Sequence, residues 1–88
     1  MNQFTIVGHL VEEPIENLET GEVELKINIY QNNITADVVV KTNGILADNA
    51  IKYGHIAQLI GVKGHFEDNG QLIADKITFL NTKLGEEK

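Results

Sequence analysis

The residues that begin most enzyme mechanisms are scarce in this sequence. Imidazole comes only from His9, His55 and His65, and there is no cysteine and no serine. No two of the histidines stand at the spacing of a metal-ligating pair, so no metal site is expected. A threonine nucleophile needs an activating base or a free N-terminal amine beside it, and the sequence points to neither. Glu12 and Glu13 are adjacent carboxylates, but they open a run with Glu16, Glu19, Glu22 and Glu24 in an exposed turn, where carboxylates are solvated surface charge. Gly8, Gly61 and Gly64 do not form a phosphate-cradling loop and fit the sharp strand bends of a small barrel better. The sequence therefore offers no catalytic residue and implies no cofactor.

Its polar chemistry is that of binding. Lys26, Asn28 and Tyr30 alternate along one segment, Lys41 points outward from the next, and Lys63 and His65 point outward from a later one. Each opposes an apolar face, so all six are expected on the wet side of a sheet. Cations in such a row can follow phosphates, and a flat side chain among them can stack a base, which are the two requirements for holding a single-stranded nucleic acid. Tyr30 stands out as an aromatic on a polar face. Phe4, Phe66 and Phe79 share faces with aliphatic residues and read as core, with Phe66 bordering a loop. Tyr53 reads as core with its hydroxyl at the surface.

The elements that position these residues follow from periodicity. Phe4 to Val11 reads as a strand with Phe4, Ile6, Gly8 and Leu10 on one face and Thr5, Val7, His9 and Val11 on the other. Both faces are largely apolar, which suggests burial on both sides or a second chain covering one of them. Pro14 is expected to interrupt the ladder and Thr20-Gly21 to turn the chain. From Glu22 to Tyr30 the alternation is strict, with Val23, Leu25, Ile27 and Ile29 inward. Gln31-Asn32-Asn33 is a turn, and Ile34 to Thr42 a third strand with Ile34, Ala36, Val38 and Val40 in phase. Asn43 is a helix N-cap candidate, Ile45 to Tyr53 has helical spacing, and Gly54 suits a left-handed C-terminal cap. Leu59 to Phe66 is a fourth strand, Glu67 to Gly70 a hairpin loop, and Leu72 to Leu80 a fifth strand whose apolar phase slips as a bulge at Asp75-Lys76 would cause. Five strands with one short helix between the third and fourth is the element order of an all-β, five-stranded Greek-key barrel, the OB-fold.

Size and charge bound the reading further. The 88 residues suit one domain, expected over residues 1–82, followed by a short polar tail at 83–88. Net charge is −6, with seven lysines and no arginine, against the basic footprint usual in nucleic-acid binders. The acids are concentrated, however: six glutamates lie between positions 12 and 24, whereas residues 25–85 carry five acids and six lysines. The result is a near-neutral barrel with one acidic hairpin. The opening MNQFTIVGHL has no basic lead and no long apolar run, so no signal peptide is expected, and no stretch approaches the roughly 20 apolar residues of a membrane helix. A soluble, cytoplasmic protein is expected.

Several stretches carry a family resemblance. MNQFTIVGHLVEEP, with Met-Asn, an apolar strand, a glycine, a leucine and then acid-Pro, resembles the start of bacterial single-stranded-DNA-binding proteins. DVVVKTNGILADNA (37–50) resembles their third strand and helix entry, IGVKG (60–64) their fourth strand, and LIADKITFL (72–80) their last. The resemblance spans about residues 1 to 82. It implies a non-catalytic protein that binds single-stranded DNA with low sequence specificity in replication, recombination or repair. It also implies self-association as a dimer or tetramer, since the first strand commonly takes part in dimerisation in that family, and replication proteins as further partners. The departures are specific. The loops at Gln31–Asn33 and Glu67–Gly70 are short, the third strand carries no aromatic, and Asn43 stands where a stacking phenylalanine is typical. No counterpart of the family's acidic-tipped tail is expected either, and the size is closer to that of the dimeric primosomal replication protein. These departures define the alternative, an OB-fold protein-interaction module of a replication or mobile-element assembly with little or no DNA affinity.

Overall fold

A computed structural model describes residues 2–80. Six strands and one helix follow in the order β1 (Gln3–Leu10), β2 (Ile15–Glu16), β3 (Val23–Gln31), β4 (Ile34–Thr42), α1 (Gly44–Tyr53), β5 (Leu59–Phe66) and β6 (Leu72–Phe79). The strands form one sheet in the order β1-β5-β6-β4-β3-β2, and an additional β1–β3 pairing closes it into a barrel. All pairings are antiparallel except a short parallel one that joins Val40 and Lys41 of β4 to Leu72 and Ile73 of β6. With the two-residue β2 set aside, five long strands close a Greek-key barrel with α1 between the third and fourth of them. That is the expected architecture.

On β3 the alternation read from the sequence is the alternation of burial, whereas on β4 only Val38 and Val40 of the apolar phase turn inward, because Ile34 and Ala36 lie exposed toward the hairpin tip. Val23, Leu25 and Ile27 of β3 are buried together with Leu10, Val40, Ile60, Val62 and Ala74. The helix adds Ala47 and Ala50, and small side chains there let its backbone approach the barrel end closely. Phe4, Ile6 and Phe79 pack against this core from its rim. On β1, by contrast, Thr5, Val7 and His9 are exposed, so within one chain only one of its two apolar faces is buried.

Local chemistry explains the connections. Asn32 and Asn33 have φ of 55° and 65°, and Gln31 pairs with Ile34, so β3 and β4 join through a two-residue turn of the I′ kind. Asparagine tolerates that left-handed backbone better than most residues. The turn is tighter than the three residues expected, and Gln31 belongs to the strand. Before β3, Asn17 organises the acidic loop: its side-chain oxygen accepts from the amides of Glu19 (2.9 Å) and Thr20 (3.3 Å). Ile15 and Glu16 then pair with Glu24 and Val23, so the ladder resumes one residue after Pro14. Sequence reading missed that short strand.

Both helix caps differ from expectation. Asn43 occupies the N-cap position with extended backbone but makes no side-chain capping bond. Gly54 is not left-handed, having φ −81°. Its amide donates to the Ala50 carbonyl at 2.8 Å, and a Cβ would lie 2.6 Å from that oxygen and 3.0 Å from Pro14 Cγ. Close approach is therefore the reason for glycine here. The bulge in β6 falls where the phase slip placed it: Lys63 pairs with Lys76 but Gly64 with Ala74, leaving Asp75 as the extra residue. The polar tail expected at 83–88 lies outside the described residues.

Candidate nucleic-acid interface

The six residues singled out by their outward positions fall into two groups. Lys26, Asn28 and Tyr30 lie on β3 and Lys41 on the adjacent β4, all on the outward face of one long hairpin. Register fixes their neighbours: Glu24 opposes Lys41, Lys26 opposes Val39, Asn28 opposes Asp37, and Tyr30 opposes Thr35. Lys63 and His65 lie on β5, which is hydrogen-bonded to β1 and β6 and to neither strand of that hairpin. The barrel thus separates what the sequence reading grouped as one wet face.

On the β3–β4 face the polar groups are partly engaged with one another. Asn28 Nδ2 donates to Asp37 Oδ1 at 2.9 Å, and the Tyr30 hydroxyl donates to Asn33 Oδ1 at 2.7 Å. Lys41 Nζ stands 4.0 Å from Glu24 Oε2, a partly exposed ion pair at the limit of contact and of small net energy, which a phosphate can displace. Tyr30 remains 66% exposed, so its ring is open to a stacking partner although its hydroxyl is held. The hairpin also exposes Ile34 at its tip and Val39 opposite Lys26.

The β1–β5–β6 face has a different character. Lys63 is flanked by Thr5 on one side and by Lys76 on the other, two like charges at directly paired positions. These residues with Val7, Gly61, Thr78 and Leu80 line a shallow depression of about 270 Å³. His65 Nδ1 donates to Asp75 Oδ2 at 2.9 Å, which ties the imidazole to the bulge. Phe66 closes the strand, 40% exposed, with its ring edge-on to Phe4 at 5.6 Å between centroids. Tyr53 is half exposed rather than core, edge-on to Phe79 at 6.2 Å.

Two site residues escaped the sequence reading. Lys76 follows the bulge, where strict alternation no longer tells which way a side chain points, and only pairing with Lys63 places it. Asp37 had a legible signal, since it shares the parity of Lys41 along β4 and so the same outward face. Among the described residues no group of His, Cys, Asp and Glu side chains could hold a metal ion, and no helix is long and apolar enough to cross a membrane.

No protein-family model matches the sequence, and no curated protein matches it by sequence. Solved structures do. The chain is similar to the mitochondrial single-stranded DNA-binding protein of S. cerevisiae, with a TM-score of 0.75 at 18% identity, over 90% of this chain and 94% of that one. It is similar to the small single-stranded DNA-binding protein of Streptomyces coelicolor, with a TM-score of 0.73 at 18% identity, over 94% and 97% of the two chains. A deletion variant of the Thermus aquaticus single-stranded DNA-binding protein superposes with a TM-score of 0.77 at 19% identity; 96% of this chain covers 43% of that one. The strand order, the helix position and these superpositions agree that the chain is an OB-fold barrel of the kind found in single-stranded DNA-binding proteins.

Proposed function

We propose that this protein binds single-stranded DNA without catalysis and with low overall sequence specificity, as a cytoplasmic component of replication, recombination or repair. The observation that carries the reading is the β3–β4 face, where Tyr30 lies open on the same outward side as Lys26, Asn28 and Lys41. Stacking on an exposed ring and phosphate contacts from lysines are the two interactions that hold a single strand irrespective of sequence. A second path is available over Lys63, Lys76 and His65 on the β1–β5–β6 face, where two lysines paired across strands gain from an anion between them.

Salt dependence separates one path from two. Each phosphate neutralised on a single strand contributes a slope of about −0.7 in log affinity against log salt. A strand following Lys26 and Lys41 alone gives roughly −1.4 per subunit, and one crossing both faces roughly −2 to −3. Titration of a thymidine oligonucleotide at low and high salt reads this slope, and Lys41→Ala should flatten it by about 0.7. Absence of binding at low salt would overturn the reading in favour of a protein-interaction module of a replication or mobile-element assembly.

Self-association belongs to the same reading. β1 pairs with β5 along its length but with β3 only at His9 and Leu10, so the other edge of Gln3–Gly8 carries no ladder among the described residues. An open edge recruits a further strand, and Val7, 56% exposed beside it, gains from being covered. A dimer or tetramer is expected in sedimentation at micromolar concentration, and Val7→Lys should shift the mass toward that of one chain. A single-chain mass for the unaltered protein would exclude this assembly.

A further inference from the structure

We propose that the β3–β4 face reads one base of the bound strand by its hydrogen-bonding edge. Asp37 and Asn28 would be the readers, Tyr30 the stacking platform, and guanine the base selected. The inference rests on the single-strand-binding reading above and adds a preference at one position of that same site.

An exposed carboxylate is poorly suited to following phosphates, and on this face Glu24 and Asp37 equal Lys26 and Lys41 in number. Net charge therefore does little to hold a strand here. Glu24 faces Lys41, and its charge is partly answered. Lys26 is a diagonal neighbour of Asp37, but no ion pair joins them among the described residues; the partner shown for the Asp37 carboxylate is the Asn28 amide, at 2.9 Å. That bond uses one of its acceptor positions. Oδ2 of Asp37, the carbonyl of Asn28 and the second amide N–H stay available to something arriving from solvent.

A carboxylate accepts best from two parallel N–H groups in one plane. Among the four bases only guanine presents that pattern on its Watson–Crick edge, through N1–H and the 2-amino group. Cytosine and adenine place an acceptor nitrogen beside their amine, and thymine offers one N–H between two carbonyls. The carbonyls of thymine set an acceptor against the carboxylate, as does the ring nitrogen of cytosine and of adenine.

The register brings this edge-reader next to the stacking ring. Tyr30 pairs with Thr35, so Asp37 is its diagonal neighbour across the hairpin, and Asn28 is its neighbour on the same strand. Diagonal positions lie about 7–8 Å apart, a distance that the width of a stacked purine and the reach of an aspartate side chain together cover. The Tyr30 hydroxyl is already anchored to Asn33, which limits the freedom the ring loses when a base stacks on it.

The competing explanation is that the Asn28–Asp37 bond merely fastens the hairpin, and base substitution distinguishes the two. Binding of thymidine oligonucleotides is measured by fluorescence anisotropy at fixed low salt, with one central residue replaced in turn by dG, deoxyinosine, dA or dC. The dG oligonucleotide is expected to bind about 5- to 10-fold more tightly than the all-thymidine one, the low end of the discrimination from a paired contact to a base. Deoxyinosine, which lacks the 2-amino group, should fall between them. Asp37→Asn should abolish the preference, so that the dG and all-thymidine oligonucleotides bind this variant alike. Equal binding of all five oligonucleotides, or a dG preference that survives Asp37→Asn, would overturn base reading while leaving single-strand binding intact. Failure of every oligonucleotide to bind would overturn both. The deoxyinosine comparison uses the unaltered protein, so it decides the question even if Asp37→Asn does not fold.

Discussion

Ile27→Ala is expected to cost about 2–5 kcal/mol of folding stability, a large share of what a domain of this size possesses. Ile27 is 0% exposed and occupies the junction where the barrel closes. Its backbone pairs with Leu10 of β1 on one side and Val38 of β4 on the other, while its side chain contributes to a core with Leu10, Leu25, Val40, Ile60 and Val62. Truncation removes apolar contact and leaves a void that the paired strands cannot collapse without breaking the β1–β3 ladder. Urea denaturation followed by far-ultraviolet circular dichroism measures the loss. Ile34→Ala is the control: Ile34 has the same side chain but is 69% exposed at the hairpin tip, and its replacement should shift stability by no more than about 0.5 kcal/mol. Equal effects at the two positions would contradict a core centred on the β1–β3 closure.

Tyr30→Ala is expected to weaken single-stranded DNA binding by about 1–3 kcal/mol, the range for loss of one stacked base. That corresponds to about 5- to 150-fold in dissociation constant. Tyr30→Phe separates stacking from the hydrogen bond to Asn33: it keeps the ring, loses the hydroxyl, and should retain most of the affinity. Because the ring lies on the outward face, both substitutions should leave the denaturation midpoint nearly unchanged. If Tyr30→Ala binds as well as the unaltered protein, the strand does not cross this face. The Lys63–Lys76 face then becomes the site.

Much of the fold was legible in residue order because the information was local. Strict alternation from Val23 onward marked β3, and the valine-rich segment after Asn32-Asn33 gave β4 with the boundaries observed. Period-two segments separated by short turns sufficed for the hairpins, and the change of period after Asn43 located the helix to within one residue. The outward positions of Lys26, Asn28, Tyr30, Lys41 and Lys63 followed from the same parity, since successive side chains of a strand point to opposite faces. The cap chemistry was less legible. Asn43 and Gly54 have the residue types of helix caps, yet the first makes no side-chain bond, and the second is selected by the nearness of Ala50 and Pro14.

By itself, the sequence determined the five long strands, the approximate places where they turn, and that no serine or cysteine nucleophile is present. Only the tertiary structure decided which strands became neighbours. Barrel closure brings β1 against β3 and β6 against β4, strands that are not consecutive in the chain, and inserts β6 between β4 and β5. That order divides the candidate lysines into two faces, sets Lys63 against Lys76, and among the described residues leaves the Gln3–Gly8 edge of β1 without a ladder. The physical reason is that a side chain's direction follows from the pleat of its own strand, whereas its neighbours follow from how the apolar faces of all the strands are buried together. Periodicity therefore reaches the residues of a candidate site one strand at a time. Their assembly on the β3–β4 face, with Asp37 beside Asn28 and Tyr30, required the closed barrel and its register.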